Sequence, residues 1–417
     1  MNLAVISVAA LAVAIIVSCV TTLNVGVLSI AMAWIIGVYL GKMPLNTVIG
    51  GFPTPLFLTL TGVTLLFTLA QCNGTLDKLA HHAVRICRGN RGVVPIMFFL
   101  LGASLASMGP GNISTAALLA PMAMATATRF RIPLFLMAIM VGNGANSGSL
   151  SPFAPTGIIV NGLMARIGMT GLQVETYVSN LLAHTLVAFG GYFLFGGLKL
   201  FTTRGEADAG AAAAAAGGSG EGAFAGRHWL TLSVIAALIL SVIFFEVNVG
   251  FGAFVGAVIL VLFKAADDAE AIKRMPWKVI MMVCGVTVLI AILEKAEGID
   301  LLVSWMAKIS SPGTVTGVVA FITGIISVYS STSGVVLPAF LPMVPGLASQ
   351  LHITNALGIA NSMNVGGHLV DVSPLSTIGA LCIAGSPVDD SRALFNKLLA
   401  WGLSMSVVGA ILCYLFF

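Results

Sequence analysis

Residues 60–160 of this chain reappear in altered form at 285–385, and the two stretches are most alike where an apolar run breaks around polar residues. The first copy reads GASLASMGPGNISTAALLAPM and then MAIMVGNGANSGSLSPFAPTG; the second reads TGIISVYSSTSGVVLPAFLPM and then GIANSMNVGGHLVDVSPLSTIG. Ser151, Pro152 and Gly157 fall on Ser373, Pro374 and Gly379 at an offset of 222 residues, and Gly74 falls on Gly298 at 224, so only small gaps separate the copies. A duplication with paired breaks limits the fold to two related halves and points to a transporter, whose substrate site forms where such breaks meet.

The medium follows from the balance of residues: 58% are hydrophobic, 8% are charged and the mean hydropathy is +1.05. A chain of that kind cannot cover itself with polar surface and must lie in lipid. Its apolar runs are long enough for helices crossing about 30 Å of hydrocarbon, and the alternating strands of a barrel are absent, so an all-α polytopic membrane protein is expected. Met1 opens directly into a run to Val20 with no basic leader or small-residue cleavage site, which reads as a retained first helix. The six cysteines, Cys19, Cys72, Cys87, Cys284, Cys382 and Cys413, are scattered without paired spacing and read as small buried hydrophobes.

Spanning helices are expected near 3–20, 23–41 and 54–72, followed by an interfacial amphipathic segment at 74–90. Apolar arms at 91–107 and 114–128 flank SMGPGNIS, where Gly109, Pro110 and Gly111 break the helix into a re-entrant hairpin. A broken span at 132–168, interrupted at NGANSGSLSP, and an intact one at 174–201 complete the half. An Ala- and Gly-rich linker, 202–226, joins it to the second. There the order repeats: spans near 228–246, 248–264 and 276–294, an amphipathic segment at 297–310, a hairpin at 312–350 with YSSTSG at its tip, a broken span at 354–385 interrupted at NVGGHLVDVSP, and a last span at 391–417. Each half then crosses the membrane five times, and an odd number inverts the second copy.

Basic residues favour one orientation. With the first amphipathic segment cytoplasmic, 15 of the 19 Lys and Arg residues face the cytoplasm and only Lys42, Arg166, Lys295 and Lys308 face outward, with both termini outside. This distribution also accounts for the net charge of +4 without a nucleic-acid partner, because the basic residues line a membrane face and form no single patch.

Chemistry is expected where backbone breaks inside lipid, since unpaired N–H and C=O groups there cost several kcal/mol unless they line a polar cavity or bind a ligand. In the first half Asn112, Ser114 and Thr115 crown the hairpin and Asn143, Asn146, Ser147 and Ser149 line the broken helix. In the second half Ser330, Ser331, Thr332 and Ser333 crown the hairpin, with Asn361, Asn364, His368, Asp371 and Ser373 opposite. Neutral oxygens suit Na⁺, and half-helix N-termini suit an anion, so an anion site flanked by cation sites is expected. Small polar residues and glycines also serve close helix packing, a reading that leaves the pairing of the breaks unexplained. Asp371 is the one carboxylate placed deep in a span and is a candidate cation ligand or proton carrier; His368 could donate to substrate or to Asp371. His184 reads as a packing residue, and His81 and His82 as interfacial. No Lys or Arg falls near a break, so a dianion there would depend on N–H dipoles, hydroxyls, amides and co-bound cations. Metalloprotease, P-loop and dinucleotide motifs, a nucleophile–base pair and a pore-lining charge ring are all missing, which argues against an intramembrane enzyme or a channel.

The tip SMGPGNIST, the break GNGANSGSLSPFAPTG and their partners SSTSG and MNVGGHLVDVSPLSTIG resemble the MatC-type malonate and dicarboxylate carriers, in the ion transporter superfamily with the divalent anion/sodium symporters. The resemblance covers almost the whole chain. It implies an elevator fold of two inverted repeats and a homodimer in a bacterial inner membrane, with scaffold at 1–72 and 228–295, transport domain at 73–201 and 296–417, and a cytoplasmic linker at 202–227. In the sodium symporters, paired Ser-Asn-Thr signatures at the hairpin tips bind Na⁺ and substrate carboxylates. The first tip here carries Asn112-Ile113-Ser114-Thr115; the second carries Ser331-Thr332-Ser333 and no Asn, a departure in which Asp371 is the candidate replacement for a neutral ligand. The implied substrate contacts are Asn112, Ser114, Thr115, Asn146, Ser147, Ser331, Thr332, Ser333, Asn364 and His368, and the Na⁺ candidates are Asn112, Asn143, Ser331, Asn361 and Asp371. The expected activity is Na⁺-coupled secondary transport of C3 or C4 dicarboxylates such as malonate or succinate, without a covalent cofactor. H⁺ coupling, or a role as membrane subunit of a multi-component carboxylate uptake system, is the alternative.

Overall fold

The computed structural model describes residues 2–21, 23–85, 90–202, 224–387 and 390–417. Among these every regular element is helical, the form in which a chain in lipid satisfies its own backbone groups. The first half runs α1 (Leu3–Val20), α2 (Val25–Trp34, extended by a π-helical turn, Ile35–Leu40), α3 (Thr54–Cys72), α4 (Thr75–Arg85), α5 (Val93–Met108), α6 (Gly111–Phe130), α7 (Leu134–Ser147), α8 (Pro155–Arg166) and α9 (Gln173–Leu194). The second runs α10 (Gly226–Phe245), α11 (Val249–Leu262), α12 (Trp277–Lys295), α13 (Gly298–Lys308), α14 (Val315–Tyr329), a π-helical turn (Thr332–Val336), Leu337–Phe340 and α15 (Val344–Gln350), then α16 (Ala356–Leu369), α17 (Thr377–Ala384) and α18 (Ser391–Phe416). Most of the linker expected at 202–226 lies outside the described residues, as does Cys87.

Seven helical stretches among the described residues are long and apolar enough to cross a membrane, with shorter apolar helices between them. Large side chains such as Ile16, Phe244, Phe245, Leu262 and Phe416 are exposed, an outward face that suits lipid and not water. The chain is a multi-pass helical membrane protein. Helix α9 is less apolar because Asn180 and His184 interrupt it, and both are fully buried against the rest of the bundle.

Local sequence fixes where the helices start. Asn2, Asn24 and Asn248 cap α1, α2 and α11 by accepting from the backbone N–H groups of Ala4, Gly26 and Gly250 at 3.0, 2.9 and 3.0 Å; losing such a cap costs about 1 kcal/mol. Two crossings between the halves rest on missing side chains. A Cβ on Gly26 would lie 2.6 Å from the Met282 Cα on α12, and one on Gly250 would lie 2.6 Å from the Thr59 Cα on α3. Helix α2 therefore packs on α12 as α11 packs on α3. A second pair of close crossings lies within each half: α5 on α7, where a Cβ on Gly144 would sit 2.7 Å from the Phe99 Cα, and α14 on α16, where one on Gly366 would sit 2.6 Å from the Ala320 Cα. Small residues let these backbones approach, and dispersion between closely spaced helices replaces a hydrophobic drive that lipid does not supply.

The breaks are shorter than the sequence suggests. Helix α6 begins at Gly111, so Asn112 and Ser114 occupy its first turn, Thr115 starts the next, and none of them projects from a loop. Helix α7 continues through Ser147 and α16 through Leu369, so Asn143, Asn146, Ser147, Asn361, Asn364 and His368 are helical. The irregular backbone is confined to residues 148–154 after α7, and to a 3₁₀ turn (Val370–Val372) and residues 373–376 after α16. A helix satisfies its own amides until the last turn, so it persists past the first polar residues and stops only where Gly148 or Pro374 and their neighbours end it.

Candidate functional site

At the first hairpin tip the chain reverses over Gly109 and Pro110. Gly109 has φ +139°, and a Cβ there would collide with the Phe67 ring of α3, so the tip lies flat against the neighbouring helix only with glycine at this place. Asn112, in the first turn of α6, donates through Nδ2 to Asn146 Oδ1 of α7 at 2.8 Å, which leaves its own carbonyl oxygen for the space beyond. One turn on, the Thr115 hydroxyl is buried without a hydrogen-bond partner.

The first broken helix is held from the side by α9. Asn180 donates through Nδ2 to the Asn146 carbonyl at 2.9 Å and the Ser147 carbonyl at 3.3 Å, in the last turn of the helix, where carbonyls lack intrahelical partners one turn on. Asn180 was not singled out in the sequence; it sits in a helix without a break, and its polar character in an apolar run is the only signal that could have drawn notice. Asn143 donates to the Ile139 carbonyl at 2.8 Å and turns its Oδ1 to His184 Nδ1 at 2.9 Å. An amide oxygen can only accept, so His184 carries its proton on Nδ1 and presents a bare, buried Nε2. His184 is thus bound to the broken helix, where packing alone had been expected. Asn146 Nδ2 and Asn180 Oδ1 are likewise buried without partners. With Thr115 they make a set of open polar atoms that water or an ion could satisfy, since a buried polar group left unpaired costs about 1 to 3 kcal/mol.

The second tip is built differently. Helix α14 ends at Tyr329, and Ser331 caps the turn after it, its Oγ accepting from the Gly334 N–H at 3.2 Å. Thr332 lies within 2.8 Å of Asp371 Oδ1 and 3.2 Å of the Gly367 carbonyl. Its single hydroxyl proton favours the shorter bond, to the Asp371 carboxyl group. Asp371 is half-buried in the 3₁₀ turn after α16, and its backbone carbonyl accepts from the Ser376 hydroxyl. Ser18 of α1 reaches Ser330 Oγ at 3.1 Å.

Deeper in the bundle, His368 donates from Nδ1 to the Asn364 carbonyl at 2.8 Å and leaves Nε2 without a partner; both side-chain atoms of Asn364 are also unpaired. Asn361 donates to Ser179 Oγ at 3.1 Å, tying α16 to α9. His368 makes no hydrogen bond to Asp371: its one bonded nitrogen faces the backbone of its own helix, and Nε2 is open.

The two tips and the second break meet in one cavity of about 340 Å³. The moving elements contribute Asn112 and Ile113 of α6, Ser330–Ser333 of the second tip, and Asp371 and Leu375–Ile378 of the second break; α1, the start of α2 and the start of α12 add Ser18, Thr21, Val25, Lys278 and Met282. Of the implied contacts, Asn112, Ser331, Thr332, Ser333 and Asp371 line this space. Ser114 does not, nor do Thr115, Asn143, Asn146, Ser147, Asn361, Asn364 and His368, which are buried in the bundle. The expectation that no cation stands near a break needs correction: Lys278, remote in sequence, lines the cavity because the first turn of α12 reaches the second tip. A separate hollow of about 400 Å³ between Arg131 and Lys397 holds none of the tip or break residues.

The arrangement can bind a small polar anion. It combines hydroxyls, an amide and one ammonium with one carboxylate, and no group of three or more His, Cys, Asp or Glu side chains among the described residues is placed to hold a transition metal. No curated protein matches the chain. Its residues 1–149 match a protein family, the N-terminus of the dicarboxylate carrier protein MatC, a stretch that runs from α1 through the first hairpin to Ser149 at the first break.

Proposed function

We propose that the protein is a secondary active carrier of small dicarboxylates, C3 or C4 compounds such as malonate and succinate, which it moves together with Na⁺. The observation that carries this reading is the single cavity in which both hairpin tips and Asp371 meet inside a multi-pass membrane protein. The match of residues 1–149 to the dicarboxylate carrier family supports the substrate class. A cavity of about 340 Å³ with hydroxyl and amide groups in its lining has room for a short dicarboxylate and its coupling ions. Na⁺ is a hard cation that prefers neutral oxygens and carboxylate, and Asn112, Ser331, Thr332 and Asp371 present both.

The motion we propose is an elevator within a homodimer. Helices α5–α9 and α14–α18 form the moving body: α7 packs on α5, α6 and α9, α16 packs on α14 and α18, and α9 joins the two sets. Helices α1–α3 and α10–α12 form the frame, held across the halves by the crossings at Gly26 and Gly250. The order of elements, the same in each half, supports two inverted repeats with a cytoplasmic linker between them and both termini outside. On that orientation Thr21 and Lys278, which line the cavity, lie toward the cytoplasm.

Coupling to H⁺ is the second reading, favoured by one observation: Asp371 is the lone acid of the cavity and could carry a proton in place of balancing a cation. A thermal-shift screen of carboxylates on purified full-length protein tests the main reading. Stabilisation by malonate or succinate that grows with NaCl but not with choline chloride is expected; stabilisation independent of Na⁺ would move the case to H⁺, and no response to any dicarboxylate would refute the substrate class.

A further inference from the structure

Lys278 is the second residue of α12, and its place is fixed by its own backbone, since the Lys278 carbonyl accepts from Asn24 Nδ2 of α2 at 3.0 Å. Its side chain is exposed and lines the cavity that the hairpin tips also line. It is the only Lys, Arg or His among the lining residues, as Asp371 is the only acid. The two are not paired: no ion pair within 4.0 Å joins Lys278 to Asp371. The cavity thus carries one free ammonium on the frame side and one carboxylate, already engaged by Thr332, on the tip side.

The tips offer a substrate no positive charge. Thr332 gives its proton to Asp371 and Asn112 gives one of its two Nδ2 hydrogens to Asn146, while Ser331, whose Oγ accepts from the Gly334 N–H, keeps its own proton, so the donors left there are neutral. The frame helices supply Ser18, Thr21 and Lys278, of which only Lys278 is charged, and it stands at the N-terminus of a 19-residue helix, where the dipole also favours an anion. We propose that the Lys278 ammonium takes the second carboxylate of the bound substrate and that this contact separates dianions from monoanions. The inference rests on the reading of the cavity as a dicarboxylate site. Because Lys278 belongs to the frame, the contact exists only while the tips are level with the first turn of α12. It therefore holds the dianion on the side to which the cavity opens, and is released when the moving body leaves.

The test compares equilibrium binding of succinate and its monoanionic amide, succinamate, to purified full-length wild type, Lys278→Gln and Lys278→Arg in NaCl. Wild type prefers succinate. Lys278→Gln weakens succinate binding about tenfold to a hundredfold, the range for losing a hydrogen bond to a charged group, and leaves succinamate within about twofold. Lys278→Arg keeps most of the preference, since its guanidinium is also cationic and reaches carboxylates well. Melting temperatures stay equal, because the side chain is exposed. If Lys278→Gln keeps the wild-type preference, or loses both ligands equally, the role of Lys278 is overturned while the dicarboxylate site stands. If wild type binds neither anion, the substrate reading fails and this inference with it.

Discussion

Asp371→Asn is the substitution that bears most on how the cavity works. The change keeps the shape of the side chain and its ability to accept from Thr332, now at 2.8 Å from Oδ1, while removing the only negative charge that the cavity wall supplies. If the carboxylate balances a bound cation about 4 Å away, the attraction at an effective dielectric of about 20 is about 4 kcal/mol. Relaxation and water entry reduce what is measured, and a loss of about 2 to 4 kcal/mol, or about thirtyfold to a thousandfold in cation affinity, is expected. The weaker bond from Thr332 to a neutral amide removes about 1 kcal/mol more from the turn, because bonds to charged groups are worth about 1.5 to 3 kcal/mol and neutral ones about 1. The half-buried position of Asp371 allows the variant to fold and insert. The assay is uptake, exchange and melting temperature measured on one preparation of the variant. A large rise in the Na⁺ concentration for half-maximal uptake, with exchange retained at high Na⁺, agrees with the cation role. Loss of concentrative uptake with exchange intact and independent of Na⁺ means that Asp371 carries a proton. Wild-type ion dependence, with or without a lower melting temperature, refutes both and leaves Asp371 a structural acid.

Asn112→Ala and Ser331→Ala each raise the Na⁺ concentration required for half-maximal uptake about tenfold to a hundredfold, because each removes a neutral oxygen from the cavity wall; uptake that ignores Na⁺ but collapses with a protonophore contradicts this. Gly366→Val forces α14 and α16 apart, since even a Cβ there would lie 2.6 Å from the Ala320 Cα; a loss of about 1 to 3 kcal/mol is expected, read as a lower melting temperature in detergent, and an unchanged one would show that the crossing is loose. Single cysteines at Ala214 and Ser349, in a background without the native cysteines, label from opposite sides of the membrane, and labelling from the same side rules out the inverted arrangement.

The positions of the helices were legible because lipid demands long apolar runs, and runs such as Leu3–Val20 and Thr54–Cys72 carry that demand on their surface. Their ends were less so. Asn143, Asn146, Asn364 and His368 read as parts of broken backbone because they are polar, yet each lies within a helix. The tips were legible through glycine and proline, and Asn112, Ser331, Thr332 and Asp371 do meet in one space. What the pattern could not convey is contact between residues far apart in the chain. Asn180 closing the carbonyls of Asn146 and Ser147, His184 meeting Asn143, and Lys278 entering the cavity all depend on which helix lies beside which, a matter of packing that a one-dimensional pattern of apolar and polar residues does not encode.

The most direct test of the central claim is uptake of labelled succinate or malonate into proteoliposomes holding the full-length protein, with a Na⁺ gradient imposed in either direction. An inward gradient should drive accumulation above the external concentration, saturable by substrate and abolished when Na⁺ is equal on both sides without a membrane potential. Flux that does not saturate, or accumulation that follows no ion gradient, would contradict a coupled carrier of dicarboxylates.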